Sequence, residues 1–297
     1  MSVALLLLPD FLLIAGGALL KRLPGFGADF WSGVERLVYF VLFPALLFRS
    51  LAASPLALGD ATSLAAVGLA FTAAGMLLSG LARALFRLPQ PTFAACFQCG
   101  FRFNTYIALA VASRVAGAEG LAAISLLIGV LVPVVNLAAV GMLARGRETG
   151  VALELVRNPL VLACAAGIAW KLAGLSVPAP VAHILELLSG AALPLGLLAV
   201  GAGLTLARSA LPLPAVLWWN GVKLVALPAI ALALATVVGL SPLEREIAVV
   251  MAAVPTAPSA YILATRMKRD GAAVALLISS GTLLAAITLP LWIASIG

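Results

Sequence analysis

The chain opens on MSVALLLLPDFLLIAGGALLKR, an apolar run followed by basic residues, and this unit recurs to the other end. A helix needs about 20 apolar residues to cross a bilayer core. Ten such runs can be marked, roughly at 3–20, 31–52, 61–82, 92–113, 120–143, 158–174, 181–205, 213–238, 246–265 and 272–295. They take up most of the 297 residues. Hydrophobic residues make up 64% of the chain and charged residues 10%, against about 25% charged in an ordinary soluble domain. Too few charges remain to clothe a water-facing surface, so a soluble globular enzyme is excluded. In lipid every backbone polar group needs an internal partner, and the expected class is an all-α integral membrane protein with ten transmembrane helices. The first run has no basic residues before it, unlike a signal peptide, and reads as the first span.

The formal charge is +7. The cations stand singly at the ends of apolar runs, which points to membrane topology rather than nucleic acid. Connections 1–2, 3–4, 5–6, 7–8 and 9–10 hold eleven of them: Lys21, Arg22, Arg83, Arg87, Arg145, Arg147, Arg157, Arg208, Arg266, Lys268 and Arg269. The opposite side holds four, Arg49, Arg114, Lys171 and Arg245. The positive-inside rule places the eleven in the cytoplasm and both termini outside it.

The longest connection, near 145–157, falls at the midpoint and prompts a search for a repeat. At an offset of 150, Pro9, Gly17 and Lys21 fall on Pro159, Gly167 and Lys171, and Pro44 falls on Pro194. With two residues of slippage Arg114 falls on Arg266. The expected organisation is a first five-helix repeat (1–144), a cytoplasmic linker (145–157) and a second five-helix repeat (158–297) within one membrane domain. Five spans per half force the second half to enter the membrane in the opposite sense, giving a 5+5 inverted repeat. Secondary transporters use this plan and place their sites at interrupted helices near the midplane.

A charge inside the bilayer costs about 2.5–3.5 kcal/mol on insertion scales, so a polar residue retained there invites a functional reading. The fourth span, PTFAACFQCGFRFNTYIALAVAS, carries Gln98, Arg102, Asn104, Thr105 and Tyr106 at its centre. In the ninth, Pro255 and Pro258 flank Thr256, and Ser259 follows. Proline breaks a helix and frees carbonyls, and the new half-helix N-terminus favours an anion. Spans four and nine are equivalent in the two halves, so crossing breaks would form one polar site. The alternative is two kinked helices whose polar groups are satisfied locally. Lys223, deep in the eighth span, is either a counter-charge or titrating group, or a lysine that snorkels to the interface. His183 and Glu186 share a helix face and could relay a proton, or lie at headgroup level. Asp10, Glu35 and Arg36 lie near span ends, where water is expected to reach them. Pro44 and Pro194 read as equivalent kinks in the scaffold.

Several chemistries lack their residues. There is no P-loop for an ATP-driven pump, no HExxH, and one histidine makes no His-based metal site. No GxSxG elbow accompanies His183. Cys96, Cys99 and Cys164 lie in apolar runs and suggest neither a disulfide framework nor a reactive pair.

The segments LVYFVLFPALLF, FRFNTYIALAVASRVAGAEGLAAISLL, LVRNPLVLACAAGI, LSGAALPLGLLAVGAGL, VKLVALP and VPTAPSAYILATRMKRDG together resemble, in order, the helices of the auxin efflux carrier family. The resemblance covers nearly the whole chain. It implies a fold like that of bile-acid/sodium symporters, with crossing broken helices four and nine, and a secondary transporter of organic anions. Plant members of that family export auxin, and bacterial members are linked to malate, malonate and other carboxylates. The short central connection is similar to the bacterial type. Asn104 would be the polar residue at the crossing, Pro255 and Pro258 would mark the ninth-helix break, and Lys223 would be the cation near it. Where relatives carry Gly and Pro soon after the asparagine, this chain has IALAVA, which bears on how sharply the fourth span breaks.

The expected function is alternating-access transport of a small carboxylate (malate, malonate or an auxin-like acid) across a cell inner membrane. Arg102, Asn104, Thr105, Tyr106, Lys223, Pro255, Thr256, Pro258 and Ser259 form the expected substrate site. No cofactor and no metal is expected. Coupling to H⁺ would run through His183, Glu186 or Lys223. A dedicated Na⁺ site is disfavoured because no carboxylate stands deep in the crossing region. Partners are the carboxylate and the bilayer, not nucleic acid, and the resemblance allows a homodimer. A sodium-coupled symporter of a larger organic anion is the alternative, and an intramembrane enzyme the more distant one.

Overall fold

The computed structural model describes residues 3–54, 58–143, 158–205 and 209–296. The expected linker at 145–157 and the cations Arg145, Arg147, Arg157 and Arg208 lie outside the described residues. The described residues form helices and no strand. In chain order they are α1 (Val3–Leu20), α2 (Ala28–Leu37), α3 (Phe43–Ala52), α4 (Leu58–Phe86), α5 (Gln90–Phe97), α6 (Thr105–Leu143), α7 (Pro159–Leu172), α8 (Ala179–Gly203), α9 (Leu213–Gly221), α10 (Leu227–Val238), α11 (Pro242–Ala253), α12 (Ser259–Arg266) and α13 (Gly271–Ala294). Five stretches are long and apolar enough to cross a membrane: Ala61–Phe86, Gln90–Leu143, Ala179–Gly203, Leu213–Val238 and Gly271–Ala294. Leu5–Leu20 and Pro159–Leu172 are shorter apolar helices. Large side chains such as Leu77, Leu187, Val237 and Ile287 point outward, as lipid-facing positions should.

Prolines and glycines set where these helices bend. A π-helical turn, Val38–Leu42, joins α2 to α3 just before Pro44, and a second, Val222–Ala226, joins α9 to α10 just before Pro228. A proline withdraws one donor from the helical ladder and collides with the carbonyl four residues back. The wider turn absorbs that collision. Behind Pro228 the freed carbonyl is that of Leu224, and the Trp292 indole N–H donates to it at 2.8 Å. Pro194, by contrast, is accommodated inside α8 without such a turn. In α6 the backbone leaves helical geometry at Ala116 and Gly117. Gly117 has φ +55° and ψ −138°, a combination glycine adopts without a Cβ penalty. The turn falls in the connection expected between spans four and five.

The helices pack through glycine contacts. α1 lies along α8, and α3 along α7. A Cβ added to Gly17 would stand 2.9 Å from Leu198 Cα, and one added to Gly167 would stand 2.9 Å from Phe48 O. Both helix pairs therefore approach backbone to backbone, the close packing that small residues permit between helices in lipid.

Candidate functional site

α5 ends at Phe97, a 3₁₀ turn covers Gln98–Gly100, and residues 101–104 belong to no helix before α6 begins at Thr105. α11 ends at Ala253, and residues 254–258 are likewise non-helical before α12. Both interruptions are buried: Asn104 is 1% exposed and Thr256 4%.

These two segments are joined to each other. The Asn104 backbone N–H donates to Pro255 O at 2.7 Å. The Thr256 hydroxyl donates to Cys99 O at 2.8 Å, and Gln98 Nε2 donates to Ala260 O at 3.1 Å. Helix ends leave N–H and C=O groups without intrahelical partners, and in an apolar interior each needs another. Several are supplied by side chains from neighbouring helices. Ser79 of α4 donates to Phe97 O at 2.5 Å and accepts from the Trp219 indole at 2.7 Å. Lys223, in the π turn between α9 and α10, donates to Ala252 O at the end of α11.

Asn104 also caps the helix it precedes. Its Oδ1 accepts from the N–H groups of Tyr106 at 3.0 Å and Ile107 at 3.3 Å, the N-cap geometry that asparagine favours. That use of the oxygen fixes the orientation of the amide, so Nδ2 is the group left over. Asn104 Nδ2 is buried and has no hydrogen-bond partner.

Two cations lie beside the interruptions, and both are held by neutral oxygens. Arg102, 8% exposed, donates to Gln98 Oε1 at 2.7 Å and to Asn136 Oδ1 on α6. Lys223, 2% exposed, rests on the Ala252 carbonyl. A buried charge without an opposite charge is costly. An anion arriving here would offset that cost, and the α6 N-terminus adds its own positive end.

The structure thus brings together Arg102, Asn104, Lys223, Pro255 and Thr256 through direct bonds or neighbouring backbone. Thr105 begins α6 and is buried beside Asn104. The Tyr106 ring stacks on Phe43, with ring centres 4.6 Å apart, and so faces α3. Pro258 is half-buried and Ser259 exposed at the start of α12. Of the proposed coupling residues, His183 and Glu186 have side chains 70% and 59% exposed, and Glu186 pairs with Arg49 at 3.2 Å. They stand at the surface end of α8, apart from the interruptions. Sequence reasoning missed Asn136, Ser79 and Trp219 as partners of the site. Only the isolated asparagine in an apolar stretch of α6 carried a signal. Asp10, expected near water, is 6% exposed. Among the described residues no trio of His, Cys, Asp and Glu could hold a metal ion.

A helical membrane protein whose two polar interruptions are bonded to each other, with cations awaiting an opposite charge, has the anatomy of a transporter. Residues 145–293 match the family described as membrane transport protein. The match spans half of the chain, which belongs to this family, that of the auxin efflux carriers. It is a family of transporters and not of enzymes. No curated protein matches the chain.

Proposed function

We propose that this protein is a secondary transporter of small carboxylates such as malate or malonate, of the bacterial type. The substrate docks where α5–α6 and α11–α12 meet. The observation that carries the reading is the buried, unpartnered Nδ2 of Asn104. It is a donor held in place by its own cap bonds, beside a half-helix N-terminus and two cations that lack a carboxylate partner. A carboxylate supplies the acceptor and the charge this arrangement is missing. Thr256 is better placed to brace the two segments than to donate to substrate, because its proton lies on Cys99 O.

The proposed architecture is a 5+5 inverted repeat with ten spans, in which α5–α6 and α11–α12 are the crossing broken helices of spans four and nine. The glycine contacts favour it. Gly17 and Gly167 are 150 residues apart, as are Phe48 and Leu198, and each glycine meets the backbone of the other half's residue. Asn104 and Thr256, 152 residues apart, share the slippage that relates Arg114 to Arg266. Alternating access is then a movement of one bundle against the other around the docked anion. The positive-inside count favours both termini on the extracytoplasmic side of an inner membrane.

Lys223 favours sodium-independent transport. Its ammonium already occupies the carbonyl at the end of α11, where a Na⁺ ion would otherwise find oxygen ligands. The test is uptake of labelled malonate and malate into proteoliposomes, with sodium present and with choline in its place. Accumulation in both media, abolished by Asn104→Asp, is the expected result. Uptake by the Asn104→Asp protein equal to wild type would remove the proposed site.

A further inference from the structure

A cavity of about 500 Å³ lies between α1, α6 and α8. Its polar lining consists of Asp10, Ser113, Arg114 and Ser189, and Leu13 and Pro194 are among its apolar walls. Ser113 and Arg114 stand about two helical turns beyond Tyr106 on α6, and Tyr106 packs on Phe43 next to Gly196 of α8. The cavity and the crossing thus both draw residues from α6.

The ion pair in this cavity is only half made. Arg114 Nε and Nη2 both reach the same oxygen, Asp10 Oδ1, at 3.4 Å. A well-formed guanidinium–carboxylate fork has two parallel bonds, one to each oxygen, at about 2.7–2.9 Å. Here Oδ2 is buried and has no partner. The Asp10 side chain is 8% exposed and that of Arg114 44%, so the carboxylate is enclosed while the guanidinium remains within reach of the cavity mouth.

We propose that this cavity is a second site, distinct from the crossing, which takes a small carboxylate together with one proton. The proton binds Asp10 Oδ2 and makes the side chain a neutral acid. Arg114 then loses its counter-charge and pairs with the carboxylate of the incoming ligand. One proton and one carboxylate group enter, and the proton balances the charge of that group. Release reverses both steps, and Asp10 returns to Arg114. The inference deepens the proposed function, since it rests on a small carboxylate as the ligand, and it gives that ligand a coupling proton.

Among the described residues no other charged side chain lines the cavity. α8 contributes Ser189 there. Its His183 and Glu186 are exposed, with Glu186 engaged by Arg49. α13, which also touches α1, has no titratable residue in Gly271–Ala294. On α6, Glu119 is exposed beyond the Gly117 turn. Asp10 and Arg114 are therefore the charged pair of this cavity among the described residues.

Two measurements on the full chain in lipid test this. The first needs no carboxylate. Infrared difference spectra recorded on acidification should show a carboxylic-acid C=O band that is absent from Asp10→Asn and retained by Asp10→Glu. Arg114→Gln should move its appearance to higher pH, because a lost positive neighbour favours the neutral acid. The absence of an Asp10 band at every pH at which the chain stays folded overturns the inference. The second adds malonate and follows a pH-indicating dye. The Asn104→Asp chain, whose crossing no longer takes malonate, should take up about one proton per malonate bound where Asp10 is ionised, with affinity falling about tenfold per pH unit above that range. Asp10→Asn should bind without proton uptake. Malonate binding whose pH slope survives in Asp10→Asn counts against this site alone. Failure of wild type to bind malonate or malate at any pH counts against the ligand class both here and at the crossing.

Discussion

The backbone N–H of Asn104 donates to the carbonyl of Pro255 at 2.7 Å, and so ties the segment ahead of α6 to the segment that follows α11. The two residues lie about half the chain apart. Neither helix pair could shift past the other here without giving up a buried hydrogen bond. The same asparagine caps α6 with its side-chain oxygen and keeps its Nδ2 free. Bracing, capping and offering a donor are thus combined in one residue.

Those roles separate by substitution. Asn104→Asp keeps an acceptor for the N–H groups of Tyr106 and Ile107 but replaces the free donor with a negative charge. It should unfold near the wild-type temperature and lose the part of the malonate stabilisation that comes from the crossing, most clearly in an Arg114→Gln background where the second cavity lacks its cation, a ligand effect that follows mass action. Asn104→Ala should lose that stabilisation and also about 1 kcal/mol from the missing cap. Thermal unfolding with and without malonate reads both.

Ser79 makes a different prediction. Its hydroxyl links the Trp219 indole to the Phe97 carbonyl, and the residue is fully buried. Ser79→Ala leaves one donor and one acceptor unmet, at about 1–3 kcal/mol for each buried group. The transition measured by tryptophan fluorescence in detergent should fall accordingly. A transition within error of wild type would show that this link does not support the α5 end.

Gly17 and Gly167 test the relation between the halves. Gly17→Leu and Gly167→Leu each force a side chain against the partner helix backbone, and overpacking of this kind costs about 1–3 kcal/mol or more. Under the inverted repeat the two variants should lower the unfolding temperature by similar amounts. Gly141, around which an added Cβ meets nothing, should tolerate Ala with little change.

Lys223→Met and Arg102→Gln each remove one buried cation. If the pocket draws its substrate by charge, either change should raise the malonate concentration needed for half-maximal uptake about tenfold or more, as expected for losing a charge-assisted contact. Replacement of sodium by choline should leave wild-type uptake unchanged. A strict sodium requirement would instead favour a cation-coupled symporter.

Much of this was legible in the chain. Apolar runs of bilayer length and single cations at their ends report a partition between lipid and water, which depends on local composition and needs no knowledge of packing. The cost of a polar group in lipid likewise singled out Arg102, Asn104, Lys223 and the Pro255–Pro258 stretch. Their partners were not legible. Nothing local marks Asn136, Ser79 or Trp219 as their partners, and Asp10, expected where water reaches it, is buried. Thr256, expected in the substrate site, places its hydroxyl proton on Cys99 O. Hydrogen bonds between residues 157 or 162 positions apart leave no local periodicity to read.

The sequence alone therefore determined the solvent this protein folds in, the approximate placement of its helices and the residue types too costly to keep in lipid without a purpose. Each of those follows from transfer free energies summed over short windows. Only the tertiary structure decided which carbonyl each donor reaches, which donor is left over at Asn104, and that Asp10 meets Arg114 in a cavity. Those outcomes depend on helices remote in the chain being brought within hydrogen-bonding distance, and directional contacts of that kind exist only once the helices have packed.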